Sequence, residues 1–280
     1  MIGDKYSALM AVYSKDIPAY VVAAVESMVN QTIPPEEYII VVDGPVTDEL
    51  KTVISKYEEN KELFTIIWLK DNKGLANALN VGLKHCRNEL VARMDADDIS
   101  LPKRCERQLE FFNACSELVI CGCNIDEFYD TPDNVKTSRV VPEDYESIRE
   151  FMRKRQPFNH PTVMYKKSKV LECGGYSDLR RKEDFDLFSR MLQKDYYAVN
   201  INESLYLYRV DKANYARRKS KTNLKSAIYV YRQHLNRKGC SLLDFIIISC
   251  AEFCFYILPI GIVRILSNNI LRKNKTNYKQ

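Results

Sequence analysis

Residues 90–98 read LVARMDADD: a mostly apolar run of strand length stops on three carboxylates within four positions, Asp95, Asp97 and Asp98. A run of that length suits a strand buried on both faces. Carboxylates this close repel one another unless a cation sits among them, and hard oxygen ligands suit Mg2+ or Mn2+. The same residues are also what a solvated turn or a helix N-terminus carries. The strand ahead of them favours the metal.

The arrangement occurs a second time upstream, where residues 38–45 read YIIVVDGP and the apolar run ends at Asp43 before Gly44-Pro45. A carboxylate in that position either accepts a hydrogen bond from a nucleobase imide N–H or closes an Asx turn. Around these two runs, strands alternate with helical patterns. Residues 7–13 (SALMAVY) read as a strand, and Pro18 opens a helix whose face is Val21, Val22, Val25, Met28 and Val29. Thr47 with Asp48 starts a helix to about residue 59, residues 64–69 form a strand, and residues 75–85 form a helix with Leu75, Leu79 and Leu83 on one side. This alternation predicts a parallel sheet with crossover helices, and both acidic turns then lie at the carboxyl ends of strands, where open α/β sheets bind ligands. No GxGxxG or P-loop sequence follows any of these strands, which disfavours a dinucleotide fold or a Walker-type ATPase.

Further along, residues 102–113 are helical and 118–123 form an apolar strand. The polar stretch 124–165, interrupted by four prolines, predicts β-rich structure with one helix near 144–154. Helical periodicity returns at 183–193 through Phe185, Leu187, Phe188 and Met191, and residues 196–201 and 204–209 read as two closing strands.

The composition of the 280 residues, 46% hydrophobic and 28% charged with nine glycines and ten prolines, excludes a disordered or collagen-like chain. Charge is divided unevenly: residues 1–204 hold 27 basic and 34 acidic side chains, residues 205–280 hold 15 and 3. The basic quarter points to a polyanionic surface. Its neighbour, residues 242–266, is strongly apolar but broken by Asp244, Glu252, Pro259 and Arg264, which suits a helix lying on an anionic membrane better than one crossing it. A helical pair buried against the domain is the alternative; nucleic acid is disfavoured, since no nucleic-acid motif accompanies the basic residues. Nine cysteines without a CxxC pair indicate neither a zinc site nor a disulfide framework, and the N-terminal residues lack a secretion-signal pattern, so a reducing cytosolic setting is expected.

Taken together, YIIVVDGP at 38–45, DNKGLANALNVGL at 71–83, MDADDISLPKR at 94–104, FNHPTVM at 158–164, GGY at 174–176 and KEDFDLFSRM at 182–191 resemble an inverting family 2 glycosyltransferase of the GT-A fold. The resemblance runs over roughly residues 5–210 in the family's order and is nearest to the amylovoran-type branch that builds bacterial capsule, exopolysaccharide and O-antigen units. It implies an α/β, Rossmann-like, mostly parallel central sheet flanked by helices. A nucleotide-sugar half (1–100) and an acceptor half (101–210) would precede a helical membrane-associating region (211–280).

It also implies a UDP-sugar donor, a divalent metal (Mn2+ or Mg2+) and a lipid-linked glycan acceptor carried on polyprenyl diphosphate at the cytoplasmic face of the membrane. By motif match Asp43 would contact the uracil, and Ala11, Val12 and Tyr13 would line the nucleoside pocket. Lys73, Gly74 and Asn77 would approach base and ribose. In the acidic turn, Ala96 belongs to the donor contacts and Asp97 is the leading metal ligand, with Asp95 and Asp98 beside it. Asp184 would be the general base and Glu183 would shape the acceptor side; without the surrounding motifs, the pair reads as ordinary helix-N-terminal acids. His160 would shape the acceptor side or the diphosphate pocket, or be structural. Where relatives carry a metal-binding histidine after a Tyr-Arg pair, this chain has Tyr208-Arg209-Val210-Asp211, so Asp211 or water would take that position. Arg217 and Arg218 would clamp the diphosphate or bind lipid headgroups, and Val42 replaces one of the family's usual acidic pair. A catalytically silent membrane-bound assembly partner and a sugar nucleotidyltransferase are the alternatives. Donor sugar, linkage and oligomeric state have no readable code.

Overall fold

Strand β1 (Tyr6–Val12) lies between β2 (Glu37–Val42) and β4 (Leu90–Met94), and nearly every residue of the three is buried. Alternate side chains enter two different cores: Ala8, Met10, Ile40 and Val42 pack on one face of the sheet, Leu9, Ile39 and Val41 on the other. That double burial is why these strands read as continuous apolar runs rather than alternating ones. Helices α1 (Pro18–Val29) and α2 (Asp48–Ser55) cover the first face, and α3 (Leu75–His85) covers the second. With β3 (Phe64–Trp68), the parallel order is β3-β2-β1-β4. The computed structural model describes residues 5–210, 219–259, 261–262 and 273–274.

The expectation of a mostly parallel sheet holds for this half only. β8 (Met164–Lys166) runs antiparallel to β4 and to β6 (Leu118–Phe128), and β6 is antiparallel to β7 (Val135–Arg139). The link from β6 to β7 is too short for a crossover, so the chain must turn back on itself, and Asp130 takes a left-handed conformation (φ 61°) there. The result is a mixed sheet extended by β10 (Lys273–Asn274) on β7, with β5 (Ile99–Ser100) antiparallel to β9 (Tyr197–Arg209).

The two closing strands are one. β9 runs parallel to β6 across Asn202 and Glu203, where the register jumps from Ile201 opposite Cys123 to Ser204 opposite Asn124. The bulge puts two polar residues into solvent without ending the strand, and this interruption is what reads as a strand break in the sequence.

Helix α4 (Arg104–Ala114) joins the first core, whereas α7 (Glu183–Leu192) joins the second. Helices α5 (Tyr145–Met152) and α6 (Lys167–Glu172) connect the strands of the antiparallel half. After the segment 211–218, which lies outside the described residues, α8 (Lys221–Asn236) buries Ala227, Val230 and Tyr231 against α7, and α9 (Leu242–Ile257) packs beside α8. Ser241 and Asp244 cap α9 reciprocally. Among the described residues, no helix is long and apolar enough to cross a membrane.

Candidate functional site

The parallel strands β1, β2 and β4 end at a common cleft of about 740 Å³, lined by Ala11, Val12, Tyr13, Asp43, Gly74, Asp95 and Asp97 among others. The carboxyl edge of the sheet is thus where these side chains converge.

Asp43, directly after β2, is buried, and both of its carboxylate oxygens accept backbone hydrogen bonds: Lys73 N–H to Oδ1 at 2.9 Å and Gly74 N–H to Oδ2 at 2.8 Å. The Asn72 side-chain amide donates to the Asp43 carbonyl at 2.9 Å. The turn before α3 is therefore built on Asp43. A carboxylate has about four lone-pair sites, so these two bonds leave acceptor capacity at a side chain that borders the cleft. Gly74 adopts φ 96°, and a Cβ there would come within 3.0 Å of Arg180 Nη1. Gly44 adopts φ 86° and would place a Cβ 2.5 Å from the Asn72 backbone nitrogen. Gly44 lets the two loops touch, and both glycines hold a left-handed backbone that a side chain would strain. Lys73 meets Asp43 through its backbone while its side chain is exposed, and Asn77 lies within α3, half-buried.

In the acidic turn, carboxylate oxygens of Asp95, Asp97 and Asp98 lie within 4.8 Å of one another. Asp98 is the buried one. Its Oδ1 accepts the Arg209 backbone N–H at 2.8 Å, yet burial, followed by the charges of Asp97 and Asp95, pushes its carboxyl well above the usual carboxylate range. Asp95 is paired with Arg93, whose guanidinium lies buried inside β4. Arg209 also donates from Nε to the Asp97 carbonyl at 2.8 Å, and its guanidinium lies over the rings of Tyr20 and Phe128. A cluster of carboxylate oxygens with a charge strained by its neighbours fits a hard divalent cation. Ala96 is buried between the ligand candidates.

Glu183 and Asp184 open α7. The turn into the helix is left-handed at Lys182 (φ 65°), whose Nζ pairs with Glu252 Oε1 of α9 at 2.7 Å. Asp184 Oδ2 accepts from the Gln156 amide at 2.9 Å. Burial opposes the Asp184 charge, but His160, the Gln156 amide, the Phe185 N–H and Lys182 outweigh it and hold its carboxyl below the ordinary range. Glu183 goes the other way: burial first, then the neighbouring Asp184, raises it to about 7. Neither carboxylate is among the side chains lining the cleft, whereas Arg180 and Arg181, just before them in the chain, are.

His160 is buried, with Nε2 2.9 Å from the Tyr176 hydroxyl and its ring against Phe188. Burial, then the Arg93 charge, lowers it to about 3, against the opposing pull of the Asp184 carboxylate. Asn159 beside it donates to the Cys123 carbonyl at 2.8 Å, fixing the turn to β6. Asp211, Arg217 and Arg218 lie outside the described residues.

Several side chains here escape a reading of the sequence. Arg180 and Arg181 leave one signal, an arginine pair immediately before the Glu183-Asp184 helix start. Arg93 leaves none, because a charge inside an apolar run looks like an interruption of the strand. Asn223 and Tyr208 come to the cleft from α8 and β9, elements whose neighbours only the fold reveals.

The chain matches the family model for glycosyl transferase family 2 over residues 7–185. It is 31% identical to the amylovoran biosynthesis glycosyltransferase AmsE of Erwinia amylovora, over 93% of this chain and 97% of that one. It is 33% identical to the UDP-Gal:alpha-D-GlcNAc-diphosphoundecaprenol beta-1,3-galactosyltransferase of Escherichia coli, over 96% and 97%. Among solved structures, the mannosyltransferase PcManGT of Pyrobaculum calidifontis, in complex with GDP-Man and Mn2+, superposes with a TM-score of 0.64 at 16% identity, covering 90% of this chain and 70% of that one, which is a likeness of fold. The mixed α/β architecture is GT-A-like, and the chain is a family 2 glycosyltransferase of the bacterial polysaccharide branch.

Proposed function

We propose that the protein moves a sugar from a UDP-sugar to a hydroxyl of a polyprenyl-diphosphate-linked oligosaccharide, with inversion, at the cytoplasmic face of the bacterial plasma membrane. The observation that carries this reading is the meeting of Asp43 and the acidic turn in one cleft at the carboxyl edge of the sheet. Asp43 and the β1 end (Ala11, Val12, Tyr13) receive the uracil nucleoside, with Lys73, Gly74 and Asn77 beside it. Asp97, with Asp95 and Asp98, would hold Mn2+ or Mg2+, which when bound supplies positive charge to the departing diphosphate. Arg180 and Arg181 add fixed cations to the same cleft. A hexose or N-acetylhexosamine fits the reading, since one relative is named for galactose transfer onto a GlcNAc-diphospholipid.

The displacement is a single in-line step: the acceptor oxygen bonds to the anomeric carbon as the bond to the β-phosphate oxygen breaks, and a carboxylate takes the hydroxyl proton. Asp184 is the base in this reading, oriented by Gln156, while Glu183 and His160 shape the acceptor side. A second assignment has a specific observation in its favour: Glu183, raised to about 7, has the affinity for a proton that a base at neutral pH needs. Outside the described residues, Asp211 would complete the metal site and Arg217-Arg218 would meet diphosphate or lipid.

The test is UDP release from a panel of UDP-sugars with Mn2+ and a lipid-linked GlcNAc acceptor, with and without chelator. Chelator-sensitive release from one donor, lost in Asp184→Asn and kept in Glu183→Gln, supports the transferase and its base. Loss in Glu183→Gln with retention in Asp184→Asn exchanges the two roles. No release from any donor favours a silent assembly partner.

A further inference from the structure

Helix α9 is built the wrong way round for a helix in water. Its two acidic side chains, Asp244 and Glu252, face the domain together with Ile248, at four-residue spacing. Asp244 is bound by Arg153 at 2.8 Å and Lys154 at 3.3 Å, and Glu252 by Lys182 at 2.7 Å and the Asn223 amide at 3.3 Å. The opposite face carries no charge. Leu242, Leu243, Ile246, Ile247, Phe253 and Ile257 there are between 49% and 65% exposed. A soluble helix normally buries its apolar stripe and wets its charges; here the charges fasten the helix to the protein and the apolar stripe points away.

We infer that this outer face of α9 is a bilayer-docking surface, seated parallel to the membrane among anionic lipid headgroups. Two observations select that occupant. The 16 residues of α9 extend about 24 Å, short of the roughly 30 Å hydrocarbon core, which suits lying in the interface rather than crossing it. Next to it, α8 exposes Ile228 and Tyr229 alongside Lys221, Lys225 and Arg232, and α8 contains no carboxylate. The exposed charge that α8 brings beside the apolar face is therefore basic, which attracts an anionic leaflet and opposes the pairing of two copies along this side. The inference deepens the membrane part of the proposed function by naming the surface. It also gives the cleft a place: Glu252 joins the docked helix to Asn223, which borders the cleft, and to Lys182, which precedes the Glu183-Asp184 pair.

The experiment is co-sedimentation of the full chain with vesicles of phosphatidylcholine alone or mixed with phosphatidylglycerol, a readout that needs no turnover. The protein is expected to pellet with the mixed vesicles, and the triple change Ile246→Ser, Ile247→Ser, Phe253→Ser to weaken binding roughly tenfold or more, since each removes exposed apolar area that enters the interface. Lys225→Glu with Arg232→Glu is expected to abolish the preference for the anionic lipid. Asp97→Asn is expected to bind vesicles as the parent does, so failure of the transferase reading leaves this result standing. As a second readout, a polarity-sensitive dye on Cys250, exposed on α9, should shift to shorter wavelength when mixed vesicles are added, with Cys254, also exposed, replaced by Ser so that one site is labelled. Equal pelleting of parent and triple variant, no dye shift, or a parent dimer in solution that the triple variant converts to monomer would each overturn the assignment.

Discussion

Asp43 and Gly74 are joined across two loops: the carboxylate that ends β2 accepts the Gly74 backbone N–H at 2.8 Å, with Lys73 N–H on its other oxygen. The side chain proposed to recognise the donor base is therefore also the one that shapes the loop beside it. Replacing Asp43 with Ala leaves two backbone N–H groups without their charged acceptor, at a cost of about 1–3 kcal/mol in stability. Asn, whose amide presents a donor where one acceptor oxygen stood, should recover only part of it. Urea unfolding of the two variants checks this, and UDP affinity should fall in both.

Gly74→Ala combines a left-handed backbone (φ 96°) with a Cβ only 3.0 Å from Arg180 Nη1. It should destabilise by about 1 kcal/mol or more and raise the KM for donor more than it lowers kcat, because Arg180 is displaced within the cleft. Steady-state kinetics with the donor identified by UDP release separate the two parameters.

The ion pair between Lys182 and Glu252 secures a strained turn directly before the Glu183-Asp184 pair. Glu252→Gln leaves a largely buried ammonium without its counter-charge and should cost about 1–3 kcal/mol. Combining it with Lys182→Met should recover much of that loss, a coupling that a double-mutant cycle in urea measures directly.

Burial, then the Arg237 charge, lowers His234 to about 4, and its Nδ1 lies 2.6 Å from the Ser189 hydroxyl. The unfolded chain binds a proton at this residue near its ordinary value of 6.5, while the folded protein does not. The stability contributed by the neutral histidine is therefore complete above 6.5 and declines as pH falls from there toward 4. Urea midpoints across that range should drop more steeply for the parent than for His234→Gln.

The parallel half of the fold was legible because β1, β2 and β4 are buried on both faces, so their apolar runs are unbroken and the carboxylates ending them stand out. The antiparallel half was not, because direction depends on loop length: β6 is buried along its whole length, and nothing within it says that β7 and β8 run against it. The bulge at Asn202-Glu203 shows the same limit, since a polar pair inside β9 looks like its end. Within the cleft, Asp43 and the acidic turn were readable from their position after strands. Arg93 was hidden inside a strand, and its pairing with Asp95 follows from the geometry of the strand end. The outward face of α9 was legible as apolar, but its inverted arrangement depends on the partners of Asp244 and Glu252, which are distant in sequence.

The central claim is that Asp43 and the acidic turn bind one nucleoside diphosphate together through a divalent ion. Calorimetric titration of UDP into the protein with Mn2+, and again after chelator, tests it most directly. The account predicts at least about tenfold weaker binding without metal, as expected when a diphosphate loses its cation, and an affinity in Asp97→Asn that no longer responds to Mn2+. UDP binding that is equally tight with and without metal, in the parent and in Asp97→Asn alike, would contradict it.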